Sequence, residues 1–219
     1  MYAARSIARS MLGQVRRPIA ERNFKRAMAT HQGPLRICAG AGKQPLEGWF
    51  NTDVSWHAQN YLNLLKPWRT PPGAVTHIYM DNVIEHFTLH TARKVLANAY
   101  DALAPGGAIR LATPDVERAA RLYLENGDFV DQALARNRRA GYDVHYPVDL
   151  LRIMFAEADH HLGFLWDEYS LSAELVQAGF EDVQRYAAGE SDDAGFKGLE
   201  SRTGPEEVMT TLVLEARKH

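Results

Sequence analysis

Short apolar runs alternate along the chain with segments in which apolar side chains recur at helical spacing. The runs over residues 35–39, 75–81 and 108–115 predict buried strands. Between the last two runs, apolar residues from 91 to 103 recur every three or four positions, which predicts an amphipathic helix. A further helix is expected over 170–178. This alternation of strands and helices predicts an α/β protein with a mainly parallel sheet.

The predicted helix boundaries carry the residues that begin and end helices. Pro105-Gly106-Gly107 is expected to end the first helix. Ser170 is the expected N-cap of the later helix, and Gly179 its expected C-cap. A last strand is predicted over 210–216.

Residues 1–32 differ from the rest of the chain. The first 29 residues contain seven Lys and Arg residues and one acid, Glu21. We expect a basic helical segment here, ended by Pro34 and followed by a single domain over 33–219. The segment is expected either to pack across the ligand site or to contact a membrane surface. Its Arg-rich, acid-poor composition is also typical of an organellar transit peptide.

Composition excludes several classes of protein. The chain has 219 residues, of which 46% are hydrophobic, enough for one sizeable core. The formal net charge of -2 gives no global indication of nucleic-acid binding. A single cysteine rules out an internal disulfide and fits a reducing, cytoplasmic setting. No apolar run approaches the length of a transmembrane helix.

A glycine-rich turn follows the first predicted strand. Gly40 and Gly42 mark a turn at which the backbone can approach a ligand closely, and Asp53 lies near the end of the next predicted strand. A carboxylate in that position can accept hydrogen bonds from two ribose hydroxyls. A dinucleotide fingerprint is disfavoured, because Pro45 occupies its third glycine position and the acid comes before its spacing of about twenty residues.

Four separated stretches, in order, resemble the motifs of class I S-adenosylmethionine-dependent methyltransferases. Cys38, Gly40 and Gly42 fill the three positions of the first motif, in which Cys38 departs from the usual glycine. The other stretches are Asn63-Leu64, Glu85-His86-Phe87 after the strand over 75–81, and Leu103-Ala104-Pro105-Gly106-Gly107. The resemblance implies a Rossmann-like fold, with a mainly parallel seven-stranded sheet and an antiparallel last strand.

The resemblance also implies the cofactor and its site. S-adenosylmethionine would be held by residues at the ends of the first strands, and the Cys38 side chain would re-aim part of that contact. The implied binding residues are Cys38, Ala39, Gly40, Gly42, Asp53, Asn63, Leu64, Asp81 and Asn82.

Residues 116–165 form an insertion at the place where such enzymes often build the acceptor site. The insertion contains His145, His160 and His161 among carboxylates. Histidine can act as a general base near neutral pH, and hard carboxylates can hold Mg²⁺, so both readings stay open. By the family pattern we expect His86 or His161 to be the base, with Glu85 as its orienting group and His145 as the next candidate.

A finer resemblance, to small bacterial methyltransferases of polysaccharide biosynthesis, is carried by Asp159, His161, Gly163, Phe164, Ser170 and Leu171. The chain also looks similar to mycobacterial sugar O-methyltransferases. These resemblances imply a small-molecule or oligosaccharide acceptor, and we also expect a homodimer. Four aromatic residues could stack on a sugar ring: Tyr123, Tyr142, Tyr146 and Trp166. Two alternatives are methylation of a nitrogen or carboxylate acceptor, and a non-catalytic module with the same fold.

Overall fold

The computed structural model describes residues 17–55, 58–125, 127–156, 162–200 and 210–219. Within these ranges the strands are β1 Leu35–Ala39, β2 Phe50–Thr52, β3 Val75–Asp81, β4 Leu103–Pro114, β5 Glu181–Tyr186 and β6 Thr211–Arg217. The helices are α1 over 17–30, α2 Leu89–Ala102, α3 Val116–Glu125, α4 Asp128–Arg139, α5 Val148–Ala156 and α6 Glu168–Gln177. A 3-10 turn covers Ile84–His86. No helix in these ranges has the length and apolar character needed to cross a bilayer.

The six strands of the described residues form one sheet in the order β2-β1-β3-β4-β6-β5. β1 pairs in parallel with β2 and β3, and β3 with β4, whereas β6 is antiparallel to both of its neighbours. The expected fold class and antiparallel last strand are confirmed, but the expected seventh strand is wrong. Residues 62–73, between β2 and β3, form turns and irregular structure and no strand, and Pro67, Pro71 and Pro72 there have no N–H to donate to a sheet ladder.

One face of the sheet packs against helices and forms the main core. Strand residues such as Ile37, Ile78 and Ile109 are fully buried there together with α2 and α6. The same core includes Phe24 and Met28 of α1. Helix α1 is therefore packed into the domain by its apolar face.

The opposite face of the sheet is covered by residues 187–200, which form turns and bends. Phe196 is fully buried, stacks on Trp49 at 6.2 Å between ring centroids, and meets the ring of His77 edge-on at 5.0 Å. Arg110 of β4 is fully buried and donates from Nε to Glu200 Oε1 at 2.7 Å. It also pairs with Glu215 of β6. An ion-pair network thus joins this covering segment to the sheet.

The N-cap of helix α6 lies three residues before the expected one. Its N-cap is Asp167, whose carboxylate accepts the Ser170 N–H at 2.7 Å, while the Ser170 hydroxyl oxygen accepts the Asp167 N–H at 3.2 Å. The prediction of Ser170 as N-cap is therefore wrong, because Asp167 and Ser170 form a reciprocal capping box. Gly179 follows the helix with a φ of 101°, the left-handed conformation typical of that position.

The insertion forms a small helical unit beside the end of β4. Helices α3, α4 and α5 pack against one another around a satellite core of Val130, Leu134 and Val144. Because α3 begins directly after β4, the insertion is attached at the carboxyl edge of the parallel strands.

Candidate functional site

The turn after β1 is held to the end of β2 by main-chain hydrogen bonds. The N–H groups of Gly40 and Ala41 both donate to the carbonyl of Thr52 at 2.9 Å. Gly40 has a φ of 82°, and a Cβ at this position would lie 2.4 Å from Cγ2 of Val83. Only glycine fits here, because the turn requires a left-handed conformation and packs directly on the segment after β3.

Asp53 completes this turn from the neighbouring strand. Its carboxylate accepts the Gly42 N–H at 2.9 Å through Oδ2 and the Ser55 N–H at 2.6 Å through Oδ1. A Cβ at Gly42 would meet no other atom within 4 Å, so open space lies beside the turn. The carboxylate is partly exposed and has lone pairs left for further donors.

Asp81 and Asn82 lie at the end of β3, next to the glycine turn. Asn82 has a φ of 51°, and its N–H donates to the carbonyl of Ala112 on β4 at 2.9 Å. Burial raises the pKa of Cys38 to about 12, with added contributions from the charges of Asp81 and Asp53. Both carboxylates therefore lie within electrostatic reach of the end of β1.

The Cys38 side chain faces the covered side of the sheet. It is buried in a cluster with Trp49, Tyr79, Ala108 and Phe196. The predicted contribution of Cys38 and of the fully buried Ala39 to a ligand is thus limited to main-chain atoms.

The residues just before Asn63 and Leu64 are paired with Asp53. Tyr61 forms a parallel bridge with Asp53, and the Leu62 N–H donates to the Asp53 carbonyl at 3.3 Å. The Leu64 side chain is buried in the main core, whereas Asn63 is half-buried and its Oδ1 accepts the Leu65 N–H at 3.0 Å. The two residues lie on a segment that flanks the Asp53 side of the turn.

Glu85 and His86 lie in the 3-10 turn that follows β3. The Glu85 carboxylate is fully buried and accepts a hydrogen bond from the Thr113 hydroxyl at 3.0 Å. His86 is exposed at the same edge of the sheet. Thr113, at the end of β4, was not among the predicted site residues, although its position at the carboxyl end of a parallel strand is a signal that could have indicated it.

Residues 163–166 pack beneath this turn. The Phe164 N–H donates to the Glu85 carbonyl at 3.2 Å, and the Trp166 carbonyl accepts the Val116 N–H at 3.0 Å. Trp166 is fully buried, so the expectation that its ring could stack on a sugar is wrong. The predicted base His161 lies outside the described residues.

His145 lies on the surface before α5. Its ring contacts Asp143 at 2.7 Å, and both side chains are largely exposed. Backbone hydrogen bonds from Tyr146 and His145, with Arg152, hold the pKa of Asp149 well below its usual range. In the described part of the chain, no hydrogen bond or ion pair joins His145 to the edge with Asp53 and His86.

The described residues contain no group of three or more His, Cys, Asp and Glu side chains able to hold a metal ion. They therefore give no support for the expected Mg²⁺. The acidic and histidine residues of the insertion at 157–161 lie outside the described ranges.

Comparison with solved structures identifies the architecture. The chain superposes on a methyltransferase of Thermotoga maritima, named a possible histamine N-methyltransferase, with a TM-score of 0.51, 11% identity, and coverage of 100% of this chain and 97% of the other. The fold is that of class I methyltransferases.

Two further structures were matched. A SAM-dependent methyltransferase of Archaeoglobus fulgidus gives a TM-score of 0.49 at 14% identity, covering 92% of this chain and 94% of that one. A phosphoethanolamine N-methyltransferase of Haemonchus contortus gives 0.48 at 11% identity, covering 89% of this chain and 51% of that one. In sequence comparisons, no protein-family model and no curated protein matches the chain.

Proposed function

We propose that the protein is an S-adenosylmethionine-dependent methyltransferase. Its proposed acceptor is a hydroxyl group of a sugar. The observation that carries the cofactor assignment is the contact between Asp53 and the Gly40–Gly42 turn at the carboxyl edge of β1 and β2. Nucleotide ligands bind at this edge in open α/β sheets, at the point where strand order reverses.

The residues present fit the proposed cofactor. Each oxygen of the Asp53 carboxylate accepts one main-chain N–H, which leaves lone pairs on both for the two hydroxyls of a ribose. The open space at Gly42 allows a ligand to reach the turn. When bound, the cofactor supplies a methyl group made electrophilic by a positively charged sulfur.

His86 is the proposed general base. An alcohol must lose its proton as the methyl group arrives, and a positioned histidine can accept that proton, for about 10²–10⁴-fold in rate. His86 is exposed at the end of the 3-10 turn that follows β3, and the adjacent Glu85 is fixed by burial and by Thr113. The sugar acceptor is supported by the sequence resemblance to the subfamily at Asp159, His161, Gly163 and Phe164. Methylation of a nitrogen or of a carboxylate is an alternative that the same test distinguishes.

Cofactor binding is tested by calorimetric titration with the demethylated product, S-adenosylhomocysteine. Asp53→Ala should weaken binding by about 1.5–3 kcal/mol, the range for hydrogen bonds to a charged group. Asp101→Ala, which removes an exposed carboxylate from α2, is the matched control and should bind like the parent. Unchanged affinity in a folded Asp53→Ala protein would overturn the assignment.

The acceptor is tested with labelled donor and separate panels of oligosaccharides, lipids, amines and carboxylic acids. Label transfer to an oligosaccharide is expected, and His86→Ala should lower kcat far more than it lowers product affinity. Transfer to an amine or carboxylate alone would replace the sugar assignment. Product binding without transfer to any panel would favour a non-catalytic module.

A further inference from the structure

The charge of the chain is divided between its beginning and the rest. The first 30 residues contain seven of the 25 Lys and Arg residues and one of the 27 acids. The remaining residues therefore hold 18 basic and 26 acidic residues and are negative by eight charges. Such an asymmetry indicates a local interaction with an anionic partner, although the net charge of the whole chain is close to zero.

Within the described residues, helix α1 carries three of these cations, Arg22, Lys25 and Arg26, on its exposed side. Ala20, Phe24 and Met28 recur every four residues and are buried, and Phe24 and Met28 belong to the main core. The opposite face of the helix contains Ile19, Arg22 and Arg26, and all three side chains are exposed. Because the apolar face is already occupied by the domain, the basic face is the one turned to solvent.

The cations of this face are available to a partner. Arg17 is paired with Glu21 at 3.1 Å, the only acid in the helix. No ion pair involves Arg22, Lys25 or Arg26 within the described ranges of the chain. Ile19 lies among them with 55% of its surface exposed. Unpaired cations around an exposed aliphatic side chain are the combination found on helices that lie at membrane interfaces.

We propose that the outer face of α1, defined by Ile19, Arg22, Lys25 and Arg26, binds an anionic membrane surface. The cations contact lipid phosphates, and Ile19 reaches the boundary between headgroups and acyl chains. A nucleic acid would satisfy the cations but would leave the exposed Ile19 without an apolar partner.

The position of α1 gives this binding a consequence for the candidate site. The Ala20 carbonyl accepts the Tyr61 N–H at 3.2 Å, and the Arg17 guanidinium lies 4.5 Å from the Tyr61 ring centroid. Tyr61 in turn forms the bridge with Asp53. Helix α1 therefore separates its outer face from the segment that bridges to Asp53, so a membrane bound to that face lies one helix diameter, ~10 Å, from Tyr61.

The test is co-sedimentation of the full chain with vesicles of equal parts phosphatidylcholine and phosphatidylglycerol. The parent should bind these vesicles, should not bind pure phosphatidylcholine, and should be released at about 1 M salt, where the Debye length falls to about 3 Å. The combined substitution Arg22→Glu, Lys25→Glu and Arg26→Glu should weaken binding at least about a hundredfold, since each cation contributes about fivefold near an anionic surface.

A matched control makes the same charge change elsewhere. Lys94, Arg139 and Lys197 are exposed and lie on α2, α4 and the 187–200 segment. Replacing these three by Glu should leave vesicle binding within a few fold of the parent, and both triple variants should keep the parental melting temperature because all six residues are exposed. These readouts do not depend on methyl transfer, so they are independent of the proposed function.

Three results would overturn the proposal. Vesicle binding that survives reversal of the α1 cations would assign it to another part of the chain. Equal loss in both triple variants would assign it to overall charge. A parent that binds RNA but not the anionic vesicles would assign the basic face to nucleic acid.

Discussion

Gly163 packs directly on the main chain of Glu85. A Cβ at position 163 would lie 1.8 Å from the Glu85 carbonyl oxygen and 2.8 Å from its carbonyl carbon. The neighbouring Phe164 N–H donates to that same oxygen at 3.2 Å. The end of the insertion is therefore fastened to the turn that carries His86.

Gly163→Ala should destabilise the protein by about 2–3 kcal/mol, because the obstructing atom is main chain and cannot rotate away. For a chain of this size, that corresponds to a fall in Tm of about 5–10 °C, measured by thermal unfolding. Gly127→Ala is the control, since a Cβ there meets no atom within 4 Å. Equal melting temperatures for the two variants would show that Gly163 packs less tightly on the main chain of Glu85 than described.

Arg110→Met should lower the free energy of unfolding by about 3–5 kcal/mol, because it leaves the carboxylates of Glu200 and Glu215 buried together without their cation. The comparison is Arg93→Met, which breaks a 2.7 Å pair with Glu174 in which the Arg93 side chain is 48% exposed. Arg93→Met should lower the free energy of unfolding by about 1 kcal/mol or less. Urea unfolding of both variants measures the difference, and a smaller loss for Arg110→Met would contradict the prediction.

Acid should destabilise the protein through Glu200. Burial alone would raise the pKa of Glu200, but hydrogen bonds from Arg110 and the Gly189 N–H outweigh burial and hold this pKa below its usual value. The stabilisation that ionised Glu200 contributes is complete above the pKa of about 4.3 that a glutamate has in the unfolded chain. It is lost as pH falls through the lower pKa of Glu200 in the folded protein.

Urea midpoints measured from neutral pH down to about pH 3 should therefore fall most steeply below about pH 4.3. Glu200→Gln removes the titrating group and should give a shallower acid dependence than the parent. A parental midpoint that stays constant or rises in acid would be inconsistent with the buried ion pairs.

Cys38 should be almost inert to thiol reagents in the folded protein. Burial raises its pKa to about 12, so at about pH 8 only about one thiol in ten thousand is ionised. The group should react promptly once urea unfolds the chain, because an ordinary cysteine has a pKa of about 8.5. A colourimetric thiol assay with and without urea measures this, and fast labelling of the folded protein would contradict the described packing.

Much of the sheet could be predicted from local pattern. The strand predicted over 75–81 coincides with β3, and the helix predicted over 91–103 corresponds to α2, Leu89–Ala102. These elements were predictable because buried strands and amphipathic helices have distinct periods. The placement of Gly40 and Asp53 at neighbouring strand ends follows from the parallel order of the first strands.

Features that depend on distant contacts could not be predicted. The covering of one sheet face by residues 187–200 depends on Phe196 meeting Trp49, and on Arg110 meeting Glu200 ninety positions away. No local period encodes either contact. Trp166 was misassigned for the same reason, since an aromatic residue in an insertion shows its burial only when the fold is known.

The hydrogen bonds of Asp53 have a consequence for the thermodynamics of ligand binding. Its carboxylate accepts the N–H groups of Gly42 and Ser55, and the Thr52 carbonyl accepts those of Gly40 and Ala41. The turn is therefore preorganised, and a ribose arriving at Asp53 would immobilise little additional chain. Association at this turn should consequently lack the large entropy cost that accompanies coupled folding and binding.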